Sequence, residues 1–180
     1  MVNLWSVYGD TSYEDYKQTV KQDIERIRNK VDLLIVSMHW GNEYIHEPSV
    51  YERDAAEFLA DQGVDIIIGT HPHVIQPIEY IGDTLVIYSL GNFLSAQIDT
   101  ETLVGMMVSL EVEKDPEKDK IEIKNVKADL TWNYYRNFRD YKVIPFYELT
   151  YEELSNKDEI YEKYKQIINP QQDERIQVGF

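Results

Sequence analysis

The sequence predicts an α/β fold in which parallel strands are followed by antiparallel hairpins. Two short β-branched runs, Val31 to Met38 and Val64 to Gly69, have the composition of interior strands. Each follows an amphipathic stretch, so the chain reads helix, strand, helix, strand with short links, the spacing of a βαβ crossover. Beyond His73 the spacing shortens to that of hairpins.

Val2 to Val7 alternates like the end of a strand, and Gly9-Asp10 is a turn signal. Thr11-x-x-Glu14 has the form of a capping box, and Tyr13, Tyr16, Val20, Ile24, Ile27 and Val31 keep a spacing of three and four. A helix over Ser12 to Lys30 follows, running straight into the first interior strand. Pro48 sits at a helix start, Tyr51, Ala55, Phe58 and Leu59 mark one face, and Gly63 stops that helix. Ile75 to Ile81 and Thr84 to Leu90 are β-rich runs on either side of Gly82-Asp83, a tight hairpin expected to open a second layer. Leu103 to Glu113 and Ile121 to Leu130 are further strands joined by the charged, solvated turn Asp115 to Lys120, and Lys142 to Tyr147 is another strand candidate. Lys157 to Ile168 reads as a charged helix, followed by a polar tail expected to fray. Tyr13, Tyr16, Tyr134, Tyr135, Tyr161 and Tyr164 fall on helix or strand faces, where aromatic residues ordinarily pack.

The 180 residues are one domain by size, and 33 acidic against 18 basic residues give a net charge of −15. That balance excludes nucleic acid as a partner and argues against docking on an anionic membrane. It would also repel an anionic substrate, unless a bound cation supplied local positive charge. The absence of cysteine excludes disulfides and thiolate metal sites, leaving His, Asp, Glu and Asn as ligands. No apolar run approaches 18 residues and no signal-peptide core follows Met1, so this chain is expected to be soluble.

The four histidines, His39, His46, His71 and His73, all lie in one segment. His71 and His73 flank Pro72 at the end of the second strand, and in extended backbone this spacing puts both side chains on one side. His39 ends the neighbouring strand, and strand C-terminal ends are where open α/β sheets place their chemistry. A lone histidine there is ordinarily satisfied by loop carbonyls. Three on two strand ends point instead to a site, and neutral imidazoles suit Zn, Mn, Fe or Ni. His46 is expected at the surface. Glu43 is a candidate general acid or imidazole partner, against the plainer reading of a solvated loop carboxylate. Asn92 either orders its turn or points into the cleft.

Met38-His39-Trp40-Gly41-Asn42-Glu43-Tyr44, then Gly63 through Glu79 with Gly69-Thr70-His71-Pro72-His73 at its centre, then Tyr88-Ser89-Leu90-Gly91-Asn92-Phe93, together resemble the CapA family of bacterial capsule-synthesis proteins, associated with poly-γ-glutamate. That family is related to the calcineurin-like metallophosphoesterases, so the resemblance implies the C-terminal half of a metallophosphoesterase-like αββα sandwich with two metals at its strand ends. By position, His39 and His71 resemble ligands of one metal and His73 a ligand of the other; the catalytic candidates are His71 and Glu43, the latter for its place in the loop, since the resemblance assigns it no role. Glu79 and Asn92 belong to the same motifs without an assigned role.

The superfamily's remaining ligands come from an earlier half of the chain, and nothing before His39 resembles them. Residues 1–147 are thus expected to be a C-terminal half-domain, with 148–180 a helical tail packed on it. The implied function is part of a capsule biosynthesis protein, in poly-γ-glutamate synthesis or export, with a metal-dependent phosphoesterase-like hydrolase site that is inactive in this piece alone. The alternative is a non-catalytic scaffold or polymer-handling subunit. The implied cofactor is divalent Mn, Zn or Fe, two ions in the longer protein. The expected partners are the capsule machinery or an anionic polymer, the missing N-terminal half, and a second copy through self-association. The longer protein is expected at the cell surface or membrane.

Overall fold

The computed structural model describes residues 11–115, 117 and 120–179, and the strand expected at Val2 to Val7 and the turn at Gly9-Asp10 lie outside them. Helix α1 (Thr11–Arg28) buries Tyr13, Val20 and Ile24 along one stripe, as its three-and-four spacing requires. Its last residue ties two strands together. Arg28 pairs with Asp65 at 2.5 Å and donates to the carbonyls of Val31, Asp32 and Gly63, while Asp65 accepts from the Leu34 amide at 2.6 Å.

Strand β1 (Ile35–His39), helix α2 (Val50–Asp61) and strand β2 (Ile66–Thr70) complete the crossover. Ser49 and Glu52 form a reciprocal capping box at the start of α2. β1 and β2 are parallel neighbours, in register from Ile35 opposite Ile66 to His39 opposite Thr70. β1 is not interior, however: among the described residues it is one of the sheet's two edge strands, and Ile35 is 47 % exposed.

The hairpin of β3 (Ile78–Ile81) and β4 (Thr84–Ile87) turns at Gly82, whose φ of +60° suits glycine. It does not open a second layer. β4 pairs parallel with β2, giving the order β1-β2-β4-β3, so the hairpin belongs to the first sheet. The physical reason is that Thr84, Leu85, Val86 and Ile87 are all buried, and a strand apolar on both faces is most stable inside a parallel sheet covered on both sides.

The second sheet follows the short helix α3 (Thr100–Leu103) and comprises β5 (Val104–Asp115), β6 (Lys120–Arg136), β7 (Arg139–Pro145) and β8 (Ile176–Gly179). β6 is its spine, with β5 antiparallel along one edge. On the other edge β7 pairs antiparallel with Thr131 to Arg136, and β8 pairs parallel with Val126 to Asp129. The polar tail therefore ends in a strand rather than fraying. Helix α4 (Lys157–Ile168) buries Ile160, Tyr161, Tyr164 and Ile168.

The alternation along β2 divides the core. Ile67 packs with Leu59, Val64, Val86 and Tyr88 on the α1 and α2 side, whereas Ile66 joins Ile75, Leu85, Val104, Leu130 and Tyr164 between the sheets and α4. The architecture is an α/β sandwich with parallel strands followed by antiparallel ones.

Gly69 of β2 sits where the Trp40 indole passes over the strand to donate to the Tyr88 carbonyl at 2.9 Å, and a β-carbon at 69 would overlap both groups. Gly69→Ala is expected to cost about 2–4 kcal/mol, an overpacking cost plus a lost buried hydrogen bond. Urea denaturation with unchanged m-value measures this, and a loss below about 0.5 kcal/mol would contradict it.

Candidate functional site at the strand ends

The β1–β2 ladder continues past the strands into the two loops that follow. The Trp40 amide bonds to the Thr70 carbonyl at 3.1 Å and the Tyr44 amide to the Pro72 carbonyl at 2.7 Å. The chain turns sharply in both loops, with positive φ at Gly41 (+87°), Tyr44 (+65°), His71 (+106°) and His73 (+61°). His71 and His73 are thus not in extended backbone, and their rings come near each other through two positive-φ residues around Pro72. Such conformations are sparsely populated by residues with a β-carbon and persist where surrounding contacts over-determine them.

These turns bring three histidines together. The rings of His39 and His71 have centroids 4.5 Å apart, and His71 and His73 are 6.2 Å apart. His39 is exposed, whereas His71 and His73 are half-buried. Thr70 is fastened to the first strand by its hydroxyl, which donates to the Met38 carbonyl at 3.0 Å.

His73 is held by a chain of amides whose polarity follows from its far end. The Thr102 carbonyl can only accept, so the Asn92 side-chain nitrogen faces it at 2.9 Å. The Asn92 carbonyl oxygen is therefore the atom 2.9 Å from His73 Nδ1, which must carry the proton. That leaves the lone pair on His73 Nε2, the arrangement found when a second partner orients a metal-binding imidazole. Asn92 both orders its loop and faces the histidines. Its nitrogen also donates to Gln97 Oε1 at 2.7 Å, and Gln97 Nε2 donates to the Tyr44 hydroxyl at 3.0 Å. The Tyr44 ring stacks on His73 with centroids 6.0 Å apart.

The other candidates are more dispersed. Glu43 is exposed in the turn between Gly41 and Tyr44. Glu79 accepts from the Tyr88 hydroxyl at 2.7 Å and lies 3.5 Å from Arg53. Burial and the adjacent Glu79 carboxylate hold that hydroxyl far above the usual phenol range. His46 is not a surface residue: Nδ1 donates to the Ile75 carbonyl at 2.7 Å, Nε2 is enclosed without a partner, and the ring meets Tyr164 of α4 edge-on.

Gln97 and Thr102 had no local signal as site residues, and Tyr44 had only its place at the end of the Met38 to Tyr44 motif. Asn133 is 1 % exposed on β6, where its side chain donates to the Asn92 carbonyl at 2.8 Å and accepts from the Ser95 amide at 3.2 Å. A polar residue between Trp132 and Tyr134 in a strand is the trace this role leaves in the sequence. Among the described residues no three or more His, Cys, Asp or Glu side chains are grouped so as to hold a metal ion. The cluster is a set of nitrogen donors without a carboxylate.

Over residues 3–97, more than half of the 180, the chain matches the family described as bacterial capsule synthesis protein PGA_cap. The chain belongs to this family. The PGA biosynthesis protein CapA of Bacillus subtilis is 39 % identical to this PGA_cap chain over 92 residues, 51 % of this chain and 24 % of that protein. The capsule biosynthesis protein CapA of Bacillus anthracis is 41 % identical over 81 residues, 45 % and 20 % of the two chains. A probable polyglutamine synthesis accessory protein of Mycobacterium tuberculosis is 28 % identical over 89 residues, 49 % and 23 %. Each match spans about a quarter of the relative or less. His39, Tyr44, His71, His73, Asn92 and Gln97 lie within the PGA_cap stretch, whereas Thr102 and Asn133 lie beyond it.

The orientation of Asn92 predicts that neutral His73 is the Nδ1–H tautomer. Long-range ¹H–¹⁵N correlation spectra should show this in the wild type and a mixture of tautomers in Asn92→Ala. A pure Nε2–H tautomer for His73 would refute the amide polarity.

Proposed function

We propose that this chain supplies the histidine half of a divalent-metal site to a longer protein of capsule polymer synthesis, which acts as a metal-dependent phosphoesterase-like hydrolase. The supporting observation is the 4.5 Å approach of the His39 and His71 rings at the C-terminal ends of adjacent parallel strands, where catalytic groups of open α/β sheets gather. The relatives' names supply the capsule and poly-γ-glutamate context.

In this reading the three imidazoles supply donors to one side of the site only, since by themselves they form no group able to hold an ion. His39 and His71 would hold one ion and His73, through Nε2, would reach toward a second, with Mn, Zn or Fe matching the imidazole donors. A divalent metal, when bound, polarises a phosphoryl oxygen and makes its bound water acidic. Asn92 keeps the His73 proton on Nδ1, and the Thr70 hydroxyl steadies the strand end beside His71. Glu43 is the group proposed to move protons to and from substrate; His71 would do so only in a state where it does not hold the ion. The carboxylate ligands needed to neutralise two dications would come from elsewhere in the longer protein, pairing with this chain along the open edge of β1. The lack of a carboxylate among the donors also suits a second reading, a non-catalytic polymer-handling subunit in which a cation bridges the polymer's carboxylates. Metal-dependent turnover of a phosphodiester by the longer protein separates the two.

This chain alone is expected to bind Mn²⁺ and Zn²⁺ weakly and to show no phosphodiesterase activity, since uncharged donors leave a dication unneutralised. Calorimetric titration and a chromogenic phosphodiester assay, on this chain and on the longer protein, check both points. In the chain alone, tight binding of two metals, or turnover that His39→Ala abolishes, would overturn the half-site reading.

A further inference from the structure

The hairpin that joins β6 to β7 breaks two local rules at its tip. Its turn is Asn137-Phe138, with φ of +52° and +54°, and a two-residue turn of that hand favours glycine at the second position. Phe138 instead carries a large ring there, 62 % exposed, in a backbone conformation that bulky residues rarely adopt. Arg136 and Arg139 close the turn as directly opposed partners, which sets two like charges on one face of the ladder. Both are exposed, and neither has a hydrogen-bond or ion-pair partner among the described residues. The other four arginines, Arg26, Arg28, Arg53 and Arg175, each hold a carboxylate. Beside the arginines, the rings of Phe138 and Tyr141 both lie against Tyr135, with centroids 5.4 Å and 5.3 Å away. Tyr135 donates to the Gln97 carbonyl at 3.3 Å, so this aromatic patch adjoins the loop that carries Asn92.

We propose that this hairpin tip is a docking site for a short acidic segment of a partner polypeptide, which places carboxylate between Arg136 and Arg139 and an apolar side chain against Phe138. Neither local violation helps the hairpin to form, and such a partner resolves both. A carboxylate between two guanidiniums turns a repulsive pair into a clamp of charge-assisted hydrogen bonds, and the exposed ring becomes contact area. The occupant is a short segment and not a uniform polyanion. Two guanidiniums match one or two carboxylates, whereas a nucleic acid, an anionic bilayer or a long polycarboxylate would bring its remaining charges against a chain of −15. The site needs no metal and stands apart from the hydrolase reading.

The test is an NMR titration of this chain, with EDTA present so that metal plays no part, using a blocked peptide of alternating glutamate and leucine. The wild type is expected to bind it with shifts at the Arg136 and Arg139 side-chain N–H groups and the Phe138 ring, more weakly at high salt. The peptide with glutamine in place of glutamate should not bind. Arg136→Gln and Arg139→Gln together should weaken binding by about tenfold, the scale of two exposed charge pairs. Phe138→Gly should weaken it by about threefold or more while leaving the Tm unchanged or raised, because glycine suits the turn. That pairing separates a docking residue from a structural one. A lowered Tm in Phe138→Gly, a loss below about twofold in the double arginine variant, or no shifts at the tip with millimolar peptide overturns the proposal. Tighter binding of hexaglutamate, an oligothymidylate or phosphatidylserine vesicles at the same residues also overturns it, and assigns the tip to polyanions.

Discussion

The hydrogen bond from the Trp40 indole to the Tyr88 carbonyl, passing over Gly69, holds three strand ends in one frame. Trp40 follows β1, Gly69 lies in β2 and Tyr88 follows β4, so one contact spans the first three strands of the sheet. Both aromatic residues are in the core, where an indole N–H without a partner would carry a substantial desolvation cost. Only a residue without a β-carbon leaves room for the bond. His39 immediately precedes Trp40 and His71 is two residues beyond Gly69, so the same contact sets the spacing between the two imidazoles. Tyr88 extends the frame to α2, because its hydroxyl bonds to Glu79 and its ring lies under the Arg53 guanidinium.

Beyond that frame the loops carry strain. Tyr44, His71 and His73 all occupy the left-handed half of backbone space, at a cost of about 1–2 kcal/mol each. What offsets this is a set of local bonds: Tyr44 to Pro72 through the backbone, His73 to Asn92, and Gln97 to Tyr44. Three of the residues around the histidine cluster are therefore strained, while His39 is not. A relaxed extended continuation of β2 would have carried His73 along the strand direction, away from Asn92.

Much of the fold was legible because it is written in local patterns. The β-branched runs at Val31 and Val64, the stripe of α1 and the glycine turn at Gly82 each follow from residues within a few positions of one another. The placement of the hairpin was not, since chain order suggests a new layer whereas burial of every side chain from Thr84 to Ile87 draws β4 against β2. His39 and His71 were legible as strand-end histidines. His46 was misjudged because its neighbour Tyr164 lies more than a hundred residues later on α4, a contact that no loop pattern announces. The edge position of β1 was hidden for the complementary reason: its sequence is apolar enough for an interior strand, yet among the described residues it has a single partner.

The second sheet shows why the matched stretch of the family is not the whole of the site. Residues 3–97 contain the histidines, Asn92 and Gln97, but Thr102 and Asn133, which also hold Asn92, lie outside them. Thr102 fixes which face of the Asn92 amide meets His73, and Asn133 holds the Asn92 carbonyl and the Ser95 amide at once. Gly105 lies so close to the Asn92 backbone that a β-carbon would overlap it, and Gly91 bridges Gly105 across the same junction. Asn133 is buried at 1 % exposure with its amide fully engaged, so substitution by an apolar residue would leave the loop carbonyl and amide to find partners in a dry interior. The polarity of the amide chain, from Thr102 through Asn92 to His73 and Gln97, is therefore set by the Thr102 carbonyl of α3, while Asn133 of β6 holds the Asn92 backbone. The first sheet places the imidazoles, and the segment beyond it decides which nitrogen of His73 carries the proton.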